Sequence, residues 1–174
     1  MIEKIKENCW KIKLKNFGSR VYVLKWEGKN IVVDTSSEQN REELIKNFEK
    51  LGILPEKIDI VILTHRHFDH IQNAEIFKNA KVYGSKEDFS EDEKVLDANK
   101  LRIKGLKIIK TPGHSRGGIS IYVPELKILF SGDTLFKDGL IGRTDLPGGS
   151  EKDMIESLKK INKLDYEILL PGHI

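Results

Sequence analysis

The chain has 174 residues, of which 39% are hydrophobic, and its 30 Lys and Arg side chains exceed its 27 Asp and Glu side chains by a net charge of +3. This length and hydrophobic content can bury one core, so the sequence predicts a single domain over residues 1–174. The small basic excess alternates with apolar residues, which is typical of solvated strand faces and argues against a nucleic-acid surface.

The sequence predicts a cytoplasmic protein without disulfides or membrane spans. Cys9 is the only cysteine, so no intramolecular disulfide can form. The first residues lack the long apolar stretch of a secretory signal, and the longest apolar candidate, Ile58 to Leu63, is far shorter than the roughly 18 residues of a membrane span. Cys9 is interpreted as a small strand hydrophobe rather than a reactive thiol.

Strands and helices are predicted to alternate along the chain. Alternating or continuous apolar segments predict strands, in chain order, at residues 2–6, 9–15, 20–26, 30–34, 58–63, 81–83, 101–103, 106–110, 119–123, 128–130 and 167–170. The first four are expected to form an antiparallel meander. Helical spacing of apolar residues predicts helices over residues 38–51, 71–78 and 151–163, with Ser36 or Ser37 capping the first and Ser150 the last. This order predicts two sheets faced by helices, with polar loops at one rim.

All five histidines lie in a few short motifs. Three belong to the segment Thr64-His65-Arg66-His67-Phe68-Asp69-His70, and the other two, His114 and His173, each end a Pro-Gly-His tripeptide. Three imidazoles and a carboxylate within six residues repel one another if protonated and lose solvation if buried, so a bound metal is the simplest compensation. We expect a tight loop here, because a strand or a helix would turn the four donors in different directions.

The remaining donors are ambiguous when each is taken alone. A histidine after Pro-Gly is more often a hydrogen-bonded loop residue, and Asp133, which follows Ser131-Gly132, is more often a turn residue. Beside the 64–70 segment, His114, His173 and Asp133 are interpreted as further ligands, with Asp133 able to bridge two cations. Imidazole and carboxylate donors suit zinc, iron and manganese.

The order Thr-His-x-His-x-Asp-His, Pro-Gly-His, Gly-Asp-Thr, Pro-Gly-His resembles the metallo-β-lactamase superfamily over almost the whole chain. The resemblance implies an α/β fold of the four-layer αβ/βα sandwich type, with a dinuclear site at its edge. Asp34 lies where this family often has a carboxylate behind a ligand, and a simple turn residue is the alternative. The resemblance also implies two ligand sets with a bridging carboxylate: His65, His67 and His114 for one metal, Asp69, His70 and His173 for the other, and Asp133 between them.

Residues 135–149, with Ile141-Gly142-Arg143-Thr144-Asp145 at their centre, resemble the short glyoxalase-II-like hydrolases and the related persulfide dioxygenases. Arg143 matches a basic residue that contacts the carboxylate of the thiol cofactor in glyoxalase II. An ion pair with Asp145 inside the loop is the equally weighted alternative. The sequence stops before the C-terminal helical domain with which glyoxalase II grips glutathione, so the thiol carrier stays open.

The resemblance implies a metal-dependent hydrolase that acts on a thioester of a small thiol carrier. Two divalent cations are expected, zinc being favoured over iron or manganese. A metal-bridging hydroxide would attack the carbonyl carbon, and Asp69 would orient it. The main alternative is a mononuclear iron persulfide dioxygenase, in which His65, His114 and Asp133 bind one iron. A phosphodiesterase, a β-lactamase and a non-catalytic metal-binding module rank lower. No nucleic-acid or membrane partner is expected, and the sequence leaves homo-oligomerisation open.

Overall fold

The computed structural model describes residues 1–90, 92 and 94–173. The described chain divides into two compact units, one formed by Met1–Leu63 with His67–Tyr83, the other by Thr64–Arg66 with the chain from Gly84 onward. The chain therefore passes from one unit to the other and back around the 64–70 segment. A single domain over residues 1–174 stays a prediction.

The first unit is built on strands that follow one another in chain order. β1 to β4 pair antiparallel with their neighbours, which confirms the predicted meander, while β5 pairs parallel with β4, and β6 pairs parallel with β5. Leu44 and Phe48 of α1 are fully buried, and Phe48 packs edge-on against Phe77 with ring centroids 5.1 Å apart. The elements are β1 (Ile2–Lys6), β2 (Cys9–Ile12), β3 (Val21–Trp26), β4 (Lys29–Val33), α1 (Arg41–Lys50), β5 (Ile60–Ile62), α2 (Phe68–Ile71) and β6 (Lys81–Gly84).

The second unit contains a four-stranded sheet and one long helix. The strand order in this sheet is β11-β10-β9-β8, with β10 and β11 parallel and the other pairs antiparallel. Ile161 of α3 is buried against Tyr122 and Leu129 of the sheet. The elements are β7 (Val95–Asp97), β8 (Lys107–Lys110), β9 (Ile119–Val123), β10 (Ile128–Gly132), α3 (Glu151–Ile161) and β11 (Ile168–Pro171).

The parallel pairing of β10 and β11 brings two predicted ligands to the same edge. Gly132 pairs with Pro171, and the amide of Gly172 donates to the carbonyl of Gly132 over 2.8 Å. The carboxyl ends of neighbouring parallel strands meet at one edge of the sheet. The residues that follow, Asp133 and His173, therefore leave this edge side by side.

The helix predictions are correct where the signals are local. Ser150 caps α3 as predicted, because its hydroxyl accepts a hydrogen bond from the amide of Asp153 over 3.2 Å. The first helical segment starts at residue 38 as predicted, but residues 38–40 form a 3₁₀ turn and the α-helix begins at Arg41. Ser37 precedes this turn, and its hydroxyl donates to the carbonyl of Phe17 instead of capping it. In the described residues, no helix has both the length and the apolar composition needed to cross a bilayer.

One strand prediction and one helix prediction are wrong, and one strand was not predicted. Residues 101–103 are not a strand, and β7 at residues 95–97 was not predicted. The helix predicted over residues 71–78 is instead α2 followed by a 3₁₀ turn at residues 74–76. The turn between them carries Asn73, whose side-chain amide donates to the carbonyls of Thr35 and Ser37 over 2.9 and 2.7 Å. These long-range bonds have no signal in the local sequence.

Candidate metal centre

In the first unit, His70 is held by the carboxylate of Asp34. His70 Nδ1 lies 2.8 Å from Asp34 Oδ2, and both side chains are almost completely buried. Because a carboxylate accepts hydrogen bonds, Nδ1 donates to Asp34, which leaves Nε2 as the ring nitrogen available to a metal. His70 Nε2 lies 4.0 Å from Oδ2 of Asp69, on the same turn of helix. A histidine whose outer nitrogen binds a carboxylate is the usual arrangement of a metal ligand.

The loop that carries Asp34 is shaped to make this contact. Asp34 has a left-handed backbone conformation with φ of 58°, which Asp tolerates better than most residues. Thr35 fastens the loop to α2, since its amide and its hydroxyl both donate to the carbonyl of His70, over 2.7 and 2.9 Å. The bonds from Asn73 hold the next carbonyls of the loop. Asp34 is thus a turn residue and also the partner of a predicted ligand.

The 64–70 segment is not a loop along its whole length. His67 is half-buried with an extended backbone and precedes α2 as its N-cap residue, and Asp69 and His70 lie on the first turn of that helix. The expectation of a loop is therefore wrong for the second half of the segment. At His67 the backbone changes from extended to helical, and this change alters the direction in which the donor side chains point. A continuous loop is therefore not needed to orient them.

In the second unit, two predicted histidine ligands meet at one carboxylate oxygen of a third predicted ligand, Asp133. Oδ2 of Asp133 lies 3.5 Å from Nε2 of His114 and 3.4 Å from Nε2 of His173. His114 Nδ1 lies 2.7 Å from the carbonyl oxygen of Arg143 and donates to it, which leaves Nε2 as the ring nitrogen that faces the carboxylate and is available to a metal. Two ligands of one tetrahedral zinc ion lie roughly 3.3 Å apart, because each is about 2.0–2.1 Å from the ion. These acceptors fit a shared cation in both chemistry and spacing.

His65 completes the set of donors in the second unit. Its ring lies 5.0 Å from the ring of His114 at an interplanar angle of 79°, and its Nδ1 lies 3.0 Å from the hydroxyl of Thr64. A cavity of about 10 Å³ opens beside these rings, which is close to the space that one water-sized sphere occupies. The cavity is lined by Thr64, His65, Thr111, His114, Ser115, Gly118, Ile119, Asp133 and Thr134.

Arg143 has a contact that the sequence suggested and one that it did not. Its guanidinium forms two hydrogen bonds to Asp145, of 2.9 and 2.7 Å, and both side chains are largely exposed. The guanidinium lowers the pKa of the Asp145 carboxyl to about 2. The structure thus has the ion pair within the loop, and contact of Arg143 with a substrate stays a prediction. Its backbone carbonyl, which orients His114, escaped the sequence reasoning because any residue could supply that atom.

The glycine before Arg143 brings the same loop close to the donors. A Cβ atom on Gly142 would lie 2.0 Å from the carbonyl oxygen of Asp133 and 3.0 Å from Cγ of His114. No side chain fits in this space. Gly142 therefore lets the loop approach both donors closely enough for the Arg143 carbonyl to reach the imidazole.

The chain is similar in sequence to known proteins. The sequence pattern of the metallo-β-lactamase superfamily matches residues 14–88 and 81–173, so the chain belongs to this superfamily of metal-binding hydrolases. A probable metallo-hydrolase of Methanocaldococcus jannaschii is 38% identical over 143 residues, which are 82% of this chain and 70% of that protein. The hydroxyacylglutathione hydrolase of Bartonella tribocorum is 39% identical over 123 residues, which are 63% of this chain and 46% of that enzyme. The chain thus spans about half the length of that enzyme.

The fold agrees with solved structures. The crystal structure of TTHA1623 in a di-iron-bound form superposes with a TM-score of 0.78 at 28% identity, covering 94% of this chain and 92% of that one. The predicted α/β class and the metallo-β-lactamase fold are confirmed. Members of this fold bind divalent metals, as predicted for this chain.

Proposed function

We propose that the chain is a thioester hydrolase with two divalent cations, held by His65, His67, Asp69, His70, His114, Asp133 and His173. The observation that carries the proposal is the meeting of two imidazole nitrogens at Oδ2 of Asp133, 3.5 and 3.4 Å away. A carboxylate oxygen and two imidazole nitrogens this close together suit one shared cation, to which each can give a lone pair. The donors of the first unit are His67, Asp69 and His70. The proposal includes them because they belong to the same seven-residue segment, 64–70, as His65 of the second unit.

The chain's own residues would prepare the site for hydrolysis. Divalent cations in such a site lower the pKa of water and polarise a carbonyl oxygen. The buried Asp69 would accept a hydrogen bond from the attacking water and orient it toward the carbonyl carbon. Asp34 would keep the ring of His70 in place, and the Arg143 carbonyl would do the same for His114.

A thioester fits the absence of a spare general acid among the histidines. A thiol of about pKa 8.5 leaves as thiolate without a proton donor, whereas an amine or an alcohol needs one. Since the proposal places every histidine of the sequence among the ligands, none is left to act as a separate acid. The similarity to hydroxyacylglutathione hydrolases supports a small thiol as the carrier.

Zinc is the proposed metal, with iron as the alternative that the di-iron form of TTHA1623 suggests. Imidazole and carboxylate donors accept both metals, so the donors alone do not select one. Protein purified without added metal should therefore be analysed for zinc, iron and manganese before activity is measured.

The test is a substrate panel of lactoylglutathione, acetylglutathione and coenzyme A thioesters with metal-analysed protein. We expect thiol release by the wild-type chain and its loss in Asp133→Ala, while Asp165→Ala, which removes an exposed carboxylate paired with Lys127, retains it. Protein that holds two metals and hydrolyses none of the panel would contradict the proposal. One iron per chain with oxygen consumption on glutathione persulfide would instead identify the mononuclear dioxygenase.

A further inference from the structure

The carboxylate of Asp88 joins two of the ligand-bearing segments of the second unit, those that carry His65 and His114. Its Oδ2 accepts hydrogen bonds from the amide of Arg66 over 3.2 Å and from the hydroxyl of Ser115 over 2.8 Å. Its Oδ1 accepts from the amide of Gly117 over 2.6 Å. Arg66 directly follows His65, and Ser115 directly follows His114. The Asp88 side chain therefore holds the residues that directly follow His65 and His114, two of the proposed ligands.

The surroundings of Asp88 are shaped to bring it this close. A Cβ atom on Gly117 would lie 2.6 Å from the amide nitrogen of Asp88 and 2.8 Å from its Cγ, so a larger residue would push the carboxylate away. Arg66 returns a bond, since its guanidinium donates to the carbonyl of Asp88 over 3.3 Å. The neighbouring Phe89 is buried, and its amide donates to the carbonyl of Ser85 over 3.0 Å, which anchors the turn that carries Asp88.

A further hydrogen bond also connects these two segments. It runs from the amide of Ile119 to the carbonyl of Thr64, over 2.9 Å. The hydrogen bond at Thr64 precedes His65 and the hydrogen bond from Arg66 to Asp88 follows it. The backbone is therefore held on both sides of this proposed ligand. Without Asp88, two backbone amides and one hydroxyl would lose their acceptor, and the segment after His65 would be free to move away from the segment after His114.

We propose that Asp88 is a positioning residue that sets the spacing of His65 and His114, and through it the affinity of the metal that they hold. The inference rests on the proposed metal-binding role of these two histidines. Groups that orient metal ligands typically change metal affinity about 10–100-fold when they are removed. Asp88 itself contacts backbone and a hydroxyl, so it needs neither the metal nor the substrate to act.

The test compares Asp88→Ala and Asp88→Asn with Asp97→Ala as a matched control. Oδ1 of Asp97 accepts two hydrogen bonds from Asn99, both of 2.9 Å, and these stay within its own turn. Cobalt(II) affinity is measured by competition with a chelating dye, and the visible spectrum of the bound cobalt reports its ligand geometry. We expect cobalt binding about 10-fold weaker or more in Asp88→Ala, with an altered spectrum, and an intermediate loss in Asp88→Asn, which keeps one acceptor oxygen. Asp97→Ala should bind as the wild type does.

A second measurement on metal-free protein separates this inference from the proposed function. Hydrogen exchange at the amides of Arg66 and Gly117 should be faster in Asp88→Ala than in the wild type or in Asp97→Ala. If the wild-type chain bound no cobalt, the proposed function would fail, while the exchange rates would still decide whether Asp88 fastens the two segments. Unchanged exchange, unchanged cobalt affinity in Asp88→Ala, or an equal loss in Asp97→Ala would each overturn the positioning role.

Discussion

His70 donates its Nδ1 proton to Asp34 over 2.8 Å, and the contact lies in the interior of the first unit. A buried imidazole with a carboxylate partner is fixed in both its tautomer and its ring orientation. The positive φ of Asp34 is the local condition for this contact, because it turns the chain out of β4 and toward α2. Asn and Asp are the side chains that tolerate this conformation best after glycine.

Replacement of Asp34 should therefore affect both stability and metal binding. In Asp34→Ala, the buried Nδ1 proton of His70 loses its acceptor, which should lower the free energy of unfolding by about 1–3 kcal/mol. Zinc affinity should fall about 10–100-fold. Asp34→Asn should lose less, because its amide oxygen still accepts and Asn tolerates the left-handed backbone. Urea unfolding of metal-free protein and a zinc competition assay measure the two effects. Equal zinc affinity in Asp34→Ala and the wild type would show that His70 needs no partner.

The candidate donors have a local signal in the sequence, whereas the atoms that support them do not. The cluster of His65, His67, Asp69 and His70 was recognised because few other roles suit so many imidazoles in one segment. Ser150 was recognised because a helix cap acts on amides within the next turn. Asp88 and the carbonyl of Arg143 were missed, since they act on residues 22 to 29 positions away along the chain. Backbone acceptors and long-range side-chain bonds have no local pattern, and only the folded chain reveals them.

A methyl group at residue 142 should disrupt the donor set of the second unit. The Cβ atom of Gly142→Ala would meet the carbonyl oxygen of Asp133 at 2.0 Å, so the loop must move and take the Arg143 carbonyl away from His114. Overpacking of this kind typically costs about 1–3 kcal/mol of unfolding free energy. Cobalt affinity should fall as well. Leu140→Ala is the control, because Leu140 is exposed on the same loop and its loss should change neither quantity by more than about 0.5 kcal/mol. Wild-type cobalt affinity in Gly142→Ala would show that the loop can shift without disturbing His114.

Metal binding should stabilise the folded chain by mass action. Zinc at 100 times its dissociation constant should raise the free energy of unfolding by about 2.7 kcal/mol, provided that the unfolded chain does not bind it. The linkage arises because the folded chain brings the metal-binding side chains together, whereas the unfolded chain does not. His114→Ala removes one of the nitrogens near Asp133, so the same zinc concentration should stabilise it less. Thermal unfolding with and without zinc measures the effect. An equal increase in His114→Ala and the wild type would place the bound zinc elsewhere.

Cys9 should make the stability of the metal-free protein fall in alkaline solution. Burial raises the pKa of its thiol to about 12 from an ordinary value of 9.0, so the folded chain keeps the proton where the unfolded chain has lost it. The contribution of the Cys9 thiol to the free energy of unfolding is therefore fully present below pH 9 and is lost progressively as the pH rises toward 12. At pH 10 the loss should be about 1.4 kcal/mol, one unit above the unfolded pKa.

The matched variant for this measurement is Cys9→Ala. It should begin from a lower stability, because it leaves a cavity in a fully buried position of β2, but it should lose less between pH 8 and pH 10. The difference between the two pH slopes isolates the thiol, since every lysine and tyrosine is common to both chains. Alkylation gives an independent check, because only the thiolate reacts and the folded chain keeps the Cys9 thiol buried and protonated. Rapid reaction of Cys9 with iodoacetamide at pH 8 under native conditions would contradict both the burial and the raised pKa.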